Sequence, residues 1–160
     1  MNSKNLLIQP ASATDAEAVI QLLHRVYEEY GFIFEPMTEV PDLLSFTRHY
    51  TAPHGSFFVI HDEEATVVGS VGVERLTDTS AELHRLYLDS DLRGQGLGRA
   101  LVDAAIAWCR AEGILHLVLW SDTRFDRAHA LYEHMGFRRT GERTLNDINQ
   151  SREYRYEHEL

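Results

Sequence analysis

The chain has 160 residues, the length of one ordinary domain, and a domain of that size buries roughly 70% of its unfolded surface without needing a disulfide or a metal. At 44% hydrophobic and 25% charged, its composition excludes fibrous and disordered classes, and no apolar run approaches the ~20 residues that span a bilayer. A formal net charge of −10 argues against nucleic acid as a partner, because phosphate binding needs a basic face; a cationic amine would be drawn to such a surface, which equally serves plain solubility.

Residues 1–160 are read as one domain. Leu6 to Pro10 forms a short strand, and Leu6-Leu7-Ile8 is too short for a secretory core. Thr14-Asp15-Ala16-Glu17 has the form of a capping box. Val19, Leu22, Leu23, Val26, Tyr27 and Tyr30 follow at helical spacing, and Gly31 ends that helix. The segment Phe32 to Met37 is an apolar loop, and a second helix runs from Pro41 to His49. Phe57 to Ile60 and Thr66 to Leu76 make a hairpin around the polar turn Asp62-Glu63-Glu64. A strand covers Ala81 to Leu88, and a glycine-rich loop leads into a helix that ends near Glu112. Ile114 to Trp120 is a strand apolar enough to be buried on both faces, Arg127 to Met135 a short helix, and Phe137 to Leu145 and Tyr154 to Glu159 two last strands. The order β-α-α-β-β-β-α-β-α-β-β describes an α/β domain with a mixed sheet. The single cysteine, Cys109, lies in an apolar helical stretch and reads as a buried thiol rather than a nucleophile.

The sharpest local signal is Arg93-Gly94-Gln95-Gly96-Leu97-Gly98 between a strand and a helix. Backbone N–H groups at a helix N-terminus are unpaired, the helix dipole adds partial positive charge there, and glycines let an anion approach. The loop is therefore built for a phosphate or pyrophosphate. A nucleoside triphosphate site would need Lys-Ser/Thr after the last glycine, and none follows. A dinucleotide site would need G-x-G-x-x-G, but the third glycine would fall on Arg99 or Leu101. Coenzyme A remains.

Arg93-x-x-Gly96-x-Gly98 resembles the [QR]-x-x-G-x-[GA] pattern of the GNAT superfamily of acyl-CoA-dependent N-acyltransferases, and Ala128-x-x-Leu131-Tyr132-x-x-x-Gly136-Phe137 resembles its second coenzyme-contacting motif. The motifs cover Ala81 to Phe137; the element order extends the resemblance over the whole chain. It implies a single α/β (α+β) domain with a mixed, mostly antiparallel sheet flanked by helices. It implies acetyl-CoA as cosubstrate, with the pantetheine arm paired to the backbone of Leu86, Tyr87 and Leu88 like an added strand. Such pairing requires the strands ending at Leu88 and Trp120 to splay apart. Arg93, Gly94, Gln95, Gly96, Leu97, Gly98 and Arg99 are expected at the phosphates with Arg127, although Arg124, Asp126 and Arg127 alternatively pair among themselves.

Acetyl transfer to an amine needs a base, because an amine with a pKa of about 10.4 is neutral in only about one molecule per thousand at pH 7. It also needs an acid for the departing thiolate. The resemblance implies Tyr132 as the acid; its other reading is core packing. Glu82 stands where several family members carry a catalytic glutamate; its other reading is a substrate-orienting or surface carboxylate. Strict alternation puts Glu82, His84, Leu86 and Leu88 on one face of the strand and Leu83, Arg85 and Tyr87 on the other, which makes His84 a relay partner. Two positions depart from the family. Phe125 replaces an asparagine that often contacts pantetheine. Trp120 replaces a glutamate found in some members that acetylate protein N-termini, which favours a small amine. The loop of Phe32 and Glu35 either walls the acceptor site, with Glu35 as a carboxylate for a cationic amine, or only covers the core, and residues 146–151 border the site or a homodimer seam. His24 and Glu28 read as a solvated pair, and no histidine or cysteine spacing suits a metal.

These readings combine into a cytoplasmic N-acetyltransferase that uses acetyl-CoA, no metal, and a primary amine of a small molecule or peptide, with no nucleic acid or membrane partner. The alternatives are a non-catalytic acyl-CoA-binding regulatory module and a nucleotide-binding domain.

Overall fold

The computed structural model describes residues 6–160. Seven strands, β1 (Ile8–Pro10), β2 (Gly55–His61), β3 (Val67–Arg75), β4 (Ser80–Leu88), β5 (His116–Asp122), β6 (Arg138–Thr144) and β7 (Arg152–Glu159), form one sheet in the order β1-β2-β3-β4-β5-β7-β6. Only β4 and β5 run parallel; every other pairing is antiparallel. A helix covers the parallel crossover, as the connection requires. This is the mixed, mostly antiparallel sheet expected. No helix among the described residues is long and apolar enough to cross a membrane.

The helices form a layer on each face. α1 (Ala16–Tyr30) buries Val19, Leu22, Leu23 and Val26 against Phe57, Val59 and Val67. α5 (Leu97–Ala111) buries Leu101, Val102, Ala105, Ile106 and Cys109 against Ala81, Leu83, Leu117 and Leu119 on the opposite face, which α6 (Asp126–His134) extends with Tyr132. The Cys109 thiol is fully buried, and that burial pushes it up to about 12, so it packs as a small apolar group.

Local expectations fail in three places. The start of α1 is preceded by a 3-10 turn at Ala13–Asp15, so the free donor is the Ser12 N–H, and Asp15 accepts it at 2.9 Å. Glu17, expected in that role, instead takes a hydrogen bond from Gln21. The apolar loop contains α2 (Pro36–Glu39), and the helix expected from Pro41 to His49 is two pieces, α3 (Pro41–Leu44) and α4 (Phe46–Tyr50). Pro41 lacks an N–H and so ends α2 and begins α3. The break at Ser45 follows from two anchorages: α3 is tied to Arg85 on β4, while Phe46 and Tyr50 of α4 pack at an angle against Phe57 of β2.

The third difference shapes the site. Ser70 pairs with Tyr87 but Gly72 with His84, so three steps along β4 answer two along β3. The extra residue of this bulge is Arg85, held at a left-handed φ of 54° that a β-carbon disfavours. Ser70 Oγ donates to the Arg85 carbonyl at 2.7 Å and pins it. The bulge breaks the expected alternation. Leu83, Leu86 and Leu88 all join the core beneath α5, while Tyr87 packs with the α1 layer and Glu82, His84 and Arg85 bond to groups on that side.

Gly55 anchors β2 where a β-carbon would lie 2.3 Å from the His49 carbonyl oxygen and 2.4 Å from that of Val73. Neither backbone atom can yield. Gly55→Ala is expected to destabilise the fold by at least about 3 kcal/mol, the upper end of ordinary overpacking, read as a lower urea midpoint at unchanged m-value.

Candidate active site

β4 and β5 pair only over Ser80–Leu83 and His116–Leu119. Beyond Leu83, β4 continues along β3 through Tyr87 and Leu88; beyond Leu119, β5 continues along β7 from Trp120 to Asp122. The two strands have parted, as the resemblance required. The outward backbone edge of β4 from His84 to Leu88 has no partner strand on β5, and a cleft of about 1180 Å³ opens along it. Because the cleft passes through the sheet, it is lined by groups from both layers, Tyr132 from the α5 side and Glu82 and His84 from the α1 side.

At one end stands the glycine loop. Gly94 and Gly96 have φ of 79° and 83°, and Gly96 caps α5. A β-carbon on either would meet nothing within 4 Å, so the N-terminus of this 15-residue helix faces open space. Gly98, Arg99 and Arg127 line the same end. Gln95 and Leu97 belong to the loop and the first helical residue, and the Gln95 amide reaches back to the Asp91 carbonyl. The Arg93 guanidinium is already engaged: it pairs with Glu29 of α1 and donates to the Leu88 carbonyl at 3.0 Å. It buttresses the loop, and its Nε–H and second Nη1–H remain as donors for a phosphate.

The middle of the cleft holds a continuous hydrogen-bonded chain. His84 Nε2 meets Glu82, His84 Nδ1 lies 3.0 Å from Tyr50 Oη, and Tyr50 Oη donates to Asp42. Arg85 closes the chain on Asp42 with two bonds, Nε at 3.1 Å and Nη2 at 2.6 Å, and also donates to the Glu39 carbonyl at 2.8 Å. Burial raises the Asp42 carboxyl, but the bonds and charge of Arg85 and the Tyr50 hydroxyl outweigh it and hold it below the usual carboxylate range. Burial likewise raises Glu82, and the contact with His84 plus the charges of Arg143 and Arg155 bring it below. Gly72, opposite His84, makes room for the Tyr50 ring: a β-carbon there would lie 2.9 Å from Tyr50 Cε1. Nothing local in the sequence links positions 42, 50, 84 and 85. Asp42 and Tyr50 had no signal at all, and the bulge turns Arg85 to the face opposite the one expected.

Tyr132 is 4% exposed, its ring packed on Phe137 and Tyr156, and burial pushes its hydroxyl well above the ordinary tyrosine value. It therefore stays protonated across the accessible pH range. Phe125 precedes α6 and packs edge-on against Tyr30 and Tyr87. Phe32 lies beneath the Arg124 guanidinium, whose bonds go to Asp122. The segment after α1 is clasped to the β6–β7 turn, with Ile33 N–H donating to Asn149 Oδ1 at 2.8 Å and Asn149 Nδ2 donating to the Ile33 carbonyl at 2.9 Å. Residues 146–149 thus border the cleft, as do Glu35, Glu39 and Trp120, over which Arg143 stacks at 4.0 Å.

Comparison with known proteins agrees with this geometry. The model of the acetyltransferase (GNAT) family matches residues 19–137. The chain is 34% identical over 111 residues to human N-acetyltransferase 8, a match covering 66% of this chain and 49% of that protein. It is 35% identical over 102 residues to the N-acetylaspartate synthetase of Danio rerio, covering 63% and 36%. It is 30% identical over 128 residues to the uncharacterized N-acetyltransferase YjgM of Escherichia coli, covering 77% and 76%. The chain thus aligns with about half the length of the first of these relatives. A GNAT-family acetyltransferase structure from Staphylococcus aureus superposes with a TM-score of 0.85 at 21% identity, covering 97% of this chain and 99% of that one. A phosphinothricin acetyltransferase from Sinorhizobium meliloti, solved with AcCoA, superposes at 0.75 with 19% identity, covering 97% and 88%. With the family model spanning most of its length, the chain belongs to the acetyltransferase (GNAT) family.

Proposed function

We propose that this chain transfers the acetyl group of acetyl-CoA to a primary amine of a small molecule or peptide by direct attack. The observation that carries the reading is the parting of β4 from β5 beyond Leu83 and Leu119, because it joins a helix N-terminus suited to pyrophosphate with an acid and a base in one cleft. The unpaired edge of β4 at Leu86, Tyr87 and Leu88 suits the amide groups of the pantetheine arm. Gly94, Gln95, Gly96, Leu97 and Gly98 supply backbone donors for the phosphates, and Arg99 and Arg127 supply charge, with Arg93 behind them.

Chemistry is carried by Glu82 with His84 as the base and Tyr132 as the acid. The amine gives up a proton and attacks the thioester carbonyl. The C–S bond breaks as the sulfur takes the Tyr132 hydroxyl proton and the nitrogen sheds its second proton to solvent; solvent restores the Tyr132 hydroxyl, so one net proton is released per turnover. Direct transfer is favoured because the only thiol, Cys109, is buried and held protonated. Phe32, Glu35 and Glu39 wall the acceptor end with aromatic and acidic groups, which suits a protonated amine. A relative named N-acetylaspartate synthetase supports a small acceptor.

Release of free thiol from acetyl-CoA across polyamines, aminoglycosides, amino acids and short peptides tests the reading. Amine-dependent thiol release is expected for at least one class. Tight acetyl-CoA binding with no release from any of them would replace it with a non-catalytic acyl-CoA-binding module.

A further inference from the structure

The hydrogen-bonded chain in the cleft has a proton count that decides how His84 can act. Asp42 makes two bonds with Arg85 and is ionised, so it can only accept. Tyr50 has one hydroxyl proton, and it is donated to Asp42. The Tyr50 oxygen must therefore accept from His84, which puts a proton on Nδ1. If the imidazole carries only one proton, Nε2 is left as a bare lone pair facing the Glu82 carboxylate. Their contact is a hydrogen bond only when one further proton sits between them. The Glu82–His84 pair is thus a seat for a single proton.

We infer that Tyr50, held by Asp42 and Arg85, locks His84 in its Nδ1–H form, so that His84 Nε2 is the atom that receives the proton of the attacking amine. The inference deepens the proposed acetyl transfer and rests on it for the identity of the proton donor. With the seat empty, an ammonium group can donate into it: an N–H bond breaks, Nε2–H forms, and the neutral amine keeps its lone pair for the thioester. Glu82, kept ionised, stabilises the imidazolium produced. The proton passes to solvent before the next turnover. Tyr50 is a positioning residue here, since it touches only His84 and Asp42 among these polar groups. The charged and titratable groups around the seat are Asp42 of α3, His49 and Tyr50 of α4, Glu74 of β3 opposite Glu82, Arg85 beside it on β4, Arg143 of β6, and Arg155 and Glu157 of β7. Glu74 is bonded to His49, Arg143 to Glu153, and Glu157 to Arg155 and His116. Without Tyr50 the neutral ring would be free to move its proton to Nε2 and donate it to Glu82, filling the seat with its own hydrogen.

Nitrogen-15 NMR of the full chain labelled at histidine reads this directly, with the His84 signals assigned by their loss in His84→Gln. On titration to alkaline pH, the wild-type neutral ring is expected to keep its proton on Nδ1 and show an unprotonated Nε2. In Tyr50→Phe, which keeps the ring packed on Phe57, the neutral form is expected to carry the proton on Nε2, and kcat to fall about 10²-fold at unchanged KM for acetyl-CoA. A wild-type neutral ring protonated on Nε2 overturns the inference, as does a Tyr50→Phe kcat loss without a change of tautomer. The wild-type spectrum decides even if the variant does not fold. It also stands apart from turnover: a bare Nε2 with no thiol release from any amine would overturn the proposed function and leave the tautomer lock intact.

Discussion

Tyr132→Phe is expected to lower kcat by about 10²- to 10⁴-fold, the contribution of a positioned general acid, while acetyl-CoA affinity changes little. The ring stays where it is, since its contacts with Phe137 and Tyr156 involve no hydroxyl. What is lost is one proton donor facing the cleft. Burial raises that hydroxyl above the ordinary tyrosine value, so it remains a donor at every pH at which the protein is assayed, and the loss should not be rescued by acid. Steady-state thiol release together with calorimetric titration of acetyl-CoA separates the two quantities. Wild-type kcat in the variant would return Tyr132 to the core and leave the departing thiolate to a backbone donor.

Arg85→Met carries the largest expected effect on stability. Arg85 and Asp42 have side chains 19% and 12% exposed, and removing the cation strands a carboxylate with little access to water. Breaking such a pair costs about 3 kcal/mol or more, where replacing both partners by apolar groups would cost far less. The pH dependence gives the sign. In the wild type the Asp42 carboxyl is depressed when folded, so it contributes stability above the unfolded value of about 3.9, and that contribution is lost as pH falls through the folded value. In the variant, burial without the Arg85 charge and bonds raises the folded value, so acid relieves the penalty. Urea denaturation of both proteins at neutral pH and near pH 4 should show the gap shrinking in acid. A gap that stays constant with pH would mean that Asp42 is not the group left unpaired.

The same residues mark the boundary between what the sequence determined and what tertiary structure decided. The strand, glycine loop and helix from Ala81 to Ala111 were legible because periodicity, glycines and an open helix end are local properties, each produced by neighbours within a few positions. That the strands ending at Leu88 and Trp120 are neighbours was implied by the family resemblance, and the helix between them accounts for their parallel pairing. The helical span from Pro41 was legible but its break at Ser45 was not, because that break answers to contacts with Arg85 and Phe57 far along the chain. Nor was the face of each residue after Leu83, since a single inserted bulge residue inverts alternation, and Arg85 carries no mark that distinguishes it from an ordinary strand residue. The sequence by itself therefore pointed to the proposed donor: a phosphate site of a given spacing is a local structure. Which atom can take the proton was decided only in three dimensions. It depends on how one hydroxyl proton is shared among Asp42, Tyr50 and His84, residues that meet only because the sheet, its bulge and two short helices bring them within hydrogen-bond reach.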